Sequence, residues 1–207
     1  MAFLKETLLQ VQKTLPAGVG LIAASKTRSV EDILAAKEVG IRHFGENYVQ
    51  EAEAKAAAVS GVVWHLIGPL QSNKVSKAMT VFDVFHTVDR EKLLNKLDKA
   101  AGKENKNPDI FLQVNIGREP QKGGVMPEGL AELVDKTRNC ENLNLVGLMA
   151  IPPADIDPAP SFAALRGMAE KFNLQRLSMG MSGDWEQALK EGATDIRLGT
   201  ALFGARD

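Results

Sequence analysis

The stretch LIAASKTRSVEDI, residues 21–33, contains the pattern from which the fold can be inferred. A run of apolar and small residues ends near Ser25, and the apolar spacing that follows predicts a helix. Ser29 and Asp32 have the spacing of a capping box at the start of that helix, and Gly40 is placed to end it. A buried strand followed at once by a helix is the unit from which parallel α/β folds are built.

The same unit recurs along the whole chain. An amphipathic segment lies in each of the seven gaps between eight short apolar runs. The runs are predicted as strands over residues 19–25, 41–44, 62–68, 81–88, 109–116, 143–151, 175–181 and 194–199. Strands with little polar alternation are typical of a parallel sheet that is covered on both faces. Eight such units favour a (β/α)8 TIM barrel. An open, doubly wound sheet is the alternative, because periodicity alone does not establish closure.

Capping residues predict where several helices begin and end. Asp89 is expected to cap the helix over 90–101, and Gly102 to end it. Pro127 suits the first turn of a helix that continues to residue 138. A first helix over residues 2–14 is expected to cover the junction between strands eight and one.

Length and composition indicate one domain over residues 1–207. No Gly/Ser-rich linker or repeat divides the chain, and the proline-rich segment 151–160 is interpreted as a loop after strand six. A net charge of −1 provides no broad field for nucleic acid or a membrane surface. The N-terminus carries charge early, unlike a signal peptide, so we expect a cytoplasmic protein. Cys140, the one cysteine in the sequence, is interpreted as a bystander, and no metal site is expected.

The carboxyl ends of strands seven and eight carry the residues expected to bind phosphate. Ser182 and Gly183 follow strand seven, and Gly199 and Thr200 follow strand eight. Free N–H groups at helix N-termini bind phosphate, and these two loops form the recurrent phosphate site of the TIM barrel. The plainer alternative is that Ser182 and Thr200 only cap helices.

Lys26 and Arg197 extend this hypothesis to the rest of a ligand. A lysine at the end of an apolar strand can reach solvent with its amine, but one kept partly dry can attack an aldehyde. Lys26 with a phosphate site fits pyridoxal 5'-phosphate (PLP), or the sugar phosphate of a Schiff-base aldolase. Arg197 could donate to a pyridine nitrogen, or it could pair with Asp195.

Several motifs together resemble one family. The segments ASKT, FGENYVQE, WHLIGPLQSNK, QVNIGREPQKGG, GLMAIP and LSMGMSGDWEQALKEGATDIRLGTALFG are similar to those of the pyridoxal phosphate homeostasis proteins. The resemblance covers nearly the whole chain, from about residue 21 to residue 206. The resemblance implies a barrel like the N-terminal domain of alanine racemase. It also implies that Lys26 holds PLP as a Schiff base and that Arg197 faces the ring nitrogen.

The resemblance assigns the remaining residues in the same way. Ser182, Gly183, Gly199 and Thr200 would hold the phosphate, and Asn47 and Met181 would lie near the ring. His65, Asn115 and Met149 are expected at the barrel mouth or interior, and His43 and His86 are interpreted as ordinary strand residues. The resemblance implies a monomeric PLP carrier in vitamin B6 homeostasis, without settled catalysis, that passes the cofactor to apo forms of PLP enzymes. A weak PLP-dependent racemase is the alternative.

Overall fold

The computed structural model describes residues 5–204, whose eight parallel strands close into a barrel in chain order. The strands are β1 (Gly20–Ala24), β2 (His43–Glu46), β3 (Val63–Leu66), β4 (Val84–Val88), β5 (Asp109–Gln113), β6 (Asn144–Met149), β7 (Arg176–Ser178) and β8 (Asp195–Leu198). β1 pairs with β8, with Ile22 opposite Arg197, and this pairing closes the barrel. The predicted (β/α)8 barrel is confirmed, and the open sheet is wrong.

Helices follow the strands around the outside of the barrel. They are α1 (Lys5–Thr14), α2 (Val30–Glu38), α3 (Val49–Ala58), α4 (Val75–Val81), α5 (Glu91–Glu104), α6 (Leu130–Arg138, preceded by a 3-10 turn Pro127–Gly129), α7 (Ala159–Lys171), α8 (Trp185–Lys190) and α9 (Thr200–Phe203). α1 packs against α9, near the junction of β8 with β1. Residues 2–4 of the predicted first helix lie outside the described residues.

The caps agree with the sequence for α2 and disagree for α5. Ser29 and Asp32 form both hydrogen bonds of the predicted capping box. The prediction for α5 is wrong at both ends. Arg90 is its N-cap residue, and the helix runs through Gly102 to end at Asn105, which adopts a left-handed conformation. Asp89 is unavailable as the cap because its carboxylate accepts from the N–H of Gly124 and pairs with Arg90.

Two apolar clusters fill the structure. The large one lies between the strands and the surrounding helices and includes Phe44, Phe82 and Phe162. A small separate cluster, formed by Val84, Phe111 and Met149, comes from β4, β5 and β6. Burial of this apolar area is the main stabilising contribution to a barrel of this kind.

Charged residues form a network at the amino-terminal ends of three strands. Arg176 on β7 donates to Asp109 on β5 at 3.0 Å and to Asp195 on β8 at 3.1 Å. The Arg176 guanidinium also lies 5.0 Å from the centroid of the Phe111 ring. These contacts connect three strands that are far apart in sequence, at the end of the barrel opposite to the predicted site.

The loop after β6 runs to Ala159, which agrees with the predicted loop at 151–160. Within residues 5–204, no helix is both long enough and apolar enough to cross a bilayer.

The close approach of β6 and β7 requires a glycine. A Cβ atom at Gly147 would lie 2.0 Å from the carbonyl oxygen of Arg176, so the two strands would have to separate. We expect Gly147→Ala to lower the free energy of unfolding by about 3 kcal/mol or more. Gly167→Ala is the matched control, because its Cβ on the exposed side of α7 meets nothing within 4 Å. That change should stabilise the protein by up to about 1 kcal/mol. Urea denaturation measures both, and equal effects would contradict the steric argument.

Candidate functional site

A cavity of about 300 Å³ lies at the carboxyl ends of the strands. It is lined by Ala24, Lys26, Asn47, Ile67, Ile151, Met181, Ser182, Gly183, Arg197, Gly199 and Thr200. All eight residues selected from the sequence therefore line one cavity, although they come from loops after β1, β2, β7 and β8 and from β8 itself. The volume is at the lower end of the range for small-molecule sites.

The backbone on both sides of Lys26 is held by two residues of α3. The ammonium of Lys55 donates to the carbonyl oxygen of Ser25 at 2.7 Å. The N–H of Thr27 donates to the Glu51 carboxylate. Thr27 has a φ of 65°, a left-handed conformation that is unfavourable for a β-branched residue. Lys26, which is half-buried, thus lies between two fixed backbone positions.

A buried carboxylate completes this arrangement, which we call the lysine clamp (Ser25, Thr27, Glu46, Glu51 and Lys55). Glu46 on β2 accepts from the Ser25 hydroxyl at 2.6 Å and from Lys55 at 2.7 Å. Its side chain is fully buried. Burial raises the pKa of Glu46, and the hydrogen bonds from Lys55 and Ser25 act in the opposite direction.

The sequence pattern did not predict the lysine clamp. Lys55 lies in the alternating charged and alanine residues of α3, a pattern typical of a solvated helix face, yet only 5% of it is exposed. The signal that could have found it is Glu46, an acidic residue at the last position of an otherwise buried strand. A buried carboxylate needs a cation, and Lys55 is one of the basic residues on the next helix.

The loops after β7 and β8 are joined by a side chain. The Ser182 hydroxyl accepts from the N–H groups of Gly199 and Ala201, each at 3.3 Å. Ser182 thus caps α9 rather than α8, the helix that follows it in sequence. The Met181 N–H donates to Asp184 at 2.6 Å, which closes the turn before α8. The loop before α8, the Ser182 hydroxyl and the first residue of α9 all line the cavity, and hydroxyl and backbone N–H donors of this kind favour an anion.

Arg197 contributes a buried cation to the wall of this cavity. Only 4% of the residue is exposed, and its guanidinium donates to the Ser178 hydroxyl at 2.7 Å and to the carbonyl oxygen of Ala150 at 3.2 Å. Burial lowers the pKa of Arg197 to about 10, and the charges of Asp184 and Asp195 oppose this shift. The guanidinium is therefore still charged near neutral pH. The alternative pairing with Asp195 is wrong, because Asp195 pairs with Arg176.

Three histidines on neighbouring strands approach Arg197 from the barrel interior. His43 contacts His65, and His65 contacts His86, with 2.9 Å between ring nitrogens in each case. His86 contacts Ser178 at 2.8 Å. His43 and His86 lie on β2 and β4, as the sequence predicts, and their rings also take part in this line of hydrogen bonds. Burial lowers the pKa of His65 and of His86 well below the usual value, so both rings are neutral.

Nothing in the described part of the chain points to metal chemistry or to a reactive thiol. No group of three or more His, Cys, Asp or Glu side chains within residues 5–204 could hold a metal ion. Burial and the nearby Asp98 raise the pKa of the Cys140 thiol to about 11, which leaves the sulfur protonated near neutral pH.

A second cavity, of about 240 Å³, adjoins the first at the barrel mouth. The two share Asn47, Ile67 and Ile151 as a common wall. The second cavity, which we call the adjoining groove, has a mixed lining that includes the polar residues Asp89, Arg90, Gln113, Asn115 and Lys122. Asn115 thus lies at the barrel mouth, whereas Met149 belongs to the small apolar cluster.

The structure is a closed eight-stranded barrel with a lysine after β1 and polar loops after β7 and β8. This arrangement is typical of TIM barrels that bind phosphorylated ligands. The profile of the family "Alanine racemase, N-terminal domain" matches residues 2–207. Curated relatives named "Pyridoxal phosphate homeostasis protein" include one from Pseudomonas aeruginosa, 43% identical over 199 residues, covering 93% of this chain and 86% of the relative. Another, from Aquifex aeolicus, is 40% identical, covering 98% and 96%.

Solved structures agree. PipY of Synechococcus elongatus superposes with a TM-score of 0.92 without PLP and 0.91 with PLP bound, at 41% and 40% identity. Each comparison covers 97% of this chain and 99% of PipY. Alanine racemase of Clostridium difficile, at 12% identity and a TM-score of 0.81, shares the fold over 56% of its own length. The chain belongs to the alanine racemase N-terminal domain family and, within it, to the pyridoxal phosphate homeostasis proteins.

The lysine clamp yields a stability prediction. Lys55→Met removes the cation beside the buried Glu46 carboxylate, so we expect the free energy of unfolding to fall by about 3 to 5 kcal/mol. Lys77→Met is the control, because the Lys77–Glu53 ion pair is about half exposed on both sides. Its loss should cost less than about 1 kcal/mol. Adding Glu46→Leu to Lys55→Met should recover most of the loss in urea denaturation. A double variant no more stable than Lys55→Met would contradict this account.

Proposed function

We propose that this chain binds PLP in the cavity at the carboxyl ends of the strands. Lys26 would hold the cofactor covalently, and Arg197 would donate to its ring nitrogen. Ser182, Gly183, Gly199 and Thr200 would bind the phosphate, and Asn47 and Met181 would flank the ring. The observation that carries the proposal is that one cavity is lined by Lys26, by the buried Arg197 and by the loops after β7 and β8, the second of which leads into α9.

The residues present fit the aldehyde, the phosphate and the ring nitrogen of this cofactor. PLP supplies an aldehyde that condenses with amines, and Lys26 is the amine that lines the cavity. The Ser182 oxygen accepts from Gly199 and Ala201, which leaves the hydroxyl proton to donate to a phosphate dianion, and Thr200 at the start of α9 lines the same cavity. Arg197 can only donate, so a ring nitrogen beside it would stay an unprotonated acceptor. The overall similarity to PipY, a protein whose structure has been solved with PLP bound and which is 40% identical, supports the same assignment.

The chain is proposed to carry and buffer PLP in vitamin B6 homeostasis rather than to use it in catalysis. Among the described residues that line the lysine cavity, Lys26 and Arg197 are the ionisable ones. A guanidinium gives up its proton too reluctantly to act as an acid/base partner near neutral pH. A racemase needs a second group to exchange a proton on the opposite face of the substrate. Tyr48, the single tyrosine in the sequence, is 59% exposed and does not line this cavity.

The adjoining groove suits release of the cofactor. An incoming amine could pair there with polar side chains such as Asp89 and Gln113, next to the lysine cavity that shares Asn47, Ile67 and Ile151 with the groove. The proposed acceptors are apo forms of PLP-dependent enzymes, and the proposed setting is a monomeric protein in the cytoplasm. The curated relatives named for pyridoxal phosphate homeostasis support this role.

Borohydride reduction tests which lysine holds the cofactor. After incubation with PLP and reduction, we expect peptide mass spectrometry to find the pyridoxyl group on Lys26, because its amine lines the cavity. Lys26→Ala should abolish specific labelling. Lys122→Ala is the control, since Lys122 lines the adjoining groove and should leave labelling of Lys26 intact. Labelling mainly at Lys122 or spread over exposed lysines would refute the assignment.

Deuterium exchange separates a carrier from an enzyme. With PLP-loaded protein in heavy water, we expect exchange at the α-carbon of alanine to be no faster than with an equal concentration of free PLP. The physical reason is that the cavity offers no second acid/base group. Nuclear magnetic resonance of the alanine α-proton measures the rate. Exchange well above that of free PLP, and lost in Lys26→Ala, would replace the carrier with a weak racemase.

A further inference from the structure

A continuous line of hydrogen bonds runs through the barrel interior, from the wall of the lysine cavity toward the opposite end of the barrel. The Arg197 guanidinium donates to the Ser178 hydroxyl at 2.7 Å, and that hydroxyl lies 2.8 Å from Nδ1 of His86. Nε2 of His86 is 2.9 Å from Nδ1 of His65, and Nε2 of His65 is 2.9 Å from Nδ1 of His43. We call these five residues the histidine chain. They come from β8, β7, β4, β3 and β2.

Counting protons assigns a direction to this chain. Arg197 can only donate, so the Ser178 oxygen accepts from it. If the Ser178 O–H donates to Nδ1 of His86, a neutral His86 carries its proton on Nε2 and donates to His65. His65 then donates from Nε2 to His43 in the same way. Every contact contains one proton, and every bond points away from the guanidinium.

The opposite direction leaves a hydroxyl proton without an acceptor. If His86 donated from Nδ1, the Ser178 oxygen would accept from both His86 and Arg197. Its own O–H would then need a third partner, and within residues 5–204 this hydroxyl contacts only those two groups. Ser178 is fully buried, so such a proton would stay unsatisfied at a cost of about 1 to 3 kcal/mol.

Charge favours the same direction. Arg197 makes no ion pair with a carboxylate within 4 Å in the described part of the chain, so its charge is stabilised mainly by dipoles and by more distant carboxylates. Imidazoles whose unprotonated nitrogens face the guanidinium direct the negative ends of their dipoles toward it. His65 and His86 are 1% exposed or less, and in so dry an environment this orientation is strongly favoured. Phe111 stacks on His86 at 4.4 Å and fixes the plane of that ring.

We propose that Ser178, His86 and His65 are positioning residues for Arg197, which hold its guanidinium through a chain of hydrogen bonds that all point away from it. Ser178 and Ala150 fix the two terminal nitrogens, so the plane of the guanidinium is set before any ligand enters. The remaining N–H groups are then available to the cavity in one orientation. The histidine chain is present in the protein without cofactor. Only its effect on ligand binding rests on the proposed function.

Histidine tautomers in the cofactor-free protein test the direction of the chain. The sequence has only three histidines, so long-range proton–nitrogen spectra of protein labelled with ¹⁵N-histidine can be assigned with single variants. At about pH 8, where neutral imidazole dominates, we expect all three rings to carry their proton on Nε2. In Ser178→Ala, the link to the guanidinium is cut, and His86 and His65 should populate both tautomers. A wild-type His86 or His65 protonated on Nδ1 would overturn the proposal, and so would tautomers unchanged in Ser178→Ala.

Cofactor binding tests the consequence for Arg197. We expect Ser178→Ala and His86→Phe to bind PLP roughly fivefold more weakly, which corresponds to the loss of one hydrogen bond. His86→Phe keeps an aromatic ring against Phe111. Thr137→Val is the control, because Thr137 is a buried hydroxyl on α6 bonded only to its own helix. Ser178→Thr, which restores a hydroxyl, should recover affinity.

Equal affinities for Ser178→Ala, His86→Phe and Thr137→Val would overturn the positioning role. Absence of PLP binding by the wild-type protein would instead refute the proposed function, and the tautomer spectra would still decide the direction of the chain.

Discussion

A positive charge in the interior of a closed barrel is the constraint on which the rest of this structure depends. The Arg197 guanidinium lies on β8, where β8 meets β1, and only 4% of it is exposed. A buried cation requires compensating dipoles or charges on every side that water cannot reach. Ser178, Ala150 and the histidines supply these on the interior side, and the cavity lies on the other. The interior of the barrel is consequently polar along one path and apolar around Phe111.

The two ends of the site are held by different means. Lys26 lies between backbone groups that the lysine clamp fixes, so its position depends on α3 and β2. The loops after β7 and β8 are joined by one hydroxyl, since Ser182 connects the loop after β7 to the first turn of α9. Both arrangements join elements distant in sequence.

Much of this could be predicted from the sequence because it depends on local pattern. Eight apolar runs with helical segments between them favoured the barrel, and the residues after the first, seventh and eighth runs predicted part of the cavity lining, including Lys26 and Thr200. The histidine chain could not be predicted, because contact between His43, His65 and His86 requires the relative register of three strands. Lys55 was missed because a charged residue on an amphipathic helix is normally solvated. Asp89 is a residue type that often caps helices, but its carboxylate accepts a hydrogen bond from the N–H of Gly124, which is distant in sequence.

Thr27, the residue after Lys26, has a strained backbone conformation. Its left-handed backbone would be relieved by glycine, so selection for thermal tolerance alone would favour that replacement. Glycine would also loosen the peptide that Glu51 holds, and the amine of Lys26 would sample more orientations. With threonine at this position, the strained backbone is kept and the peptide that follows Lys26 stays fixed by Glu51.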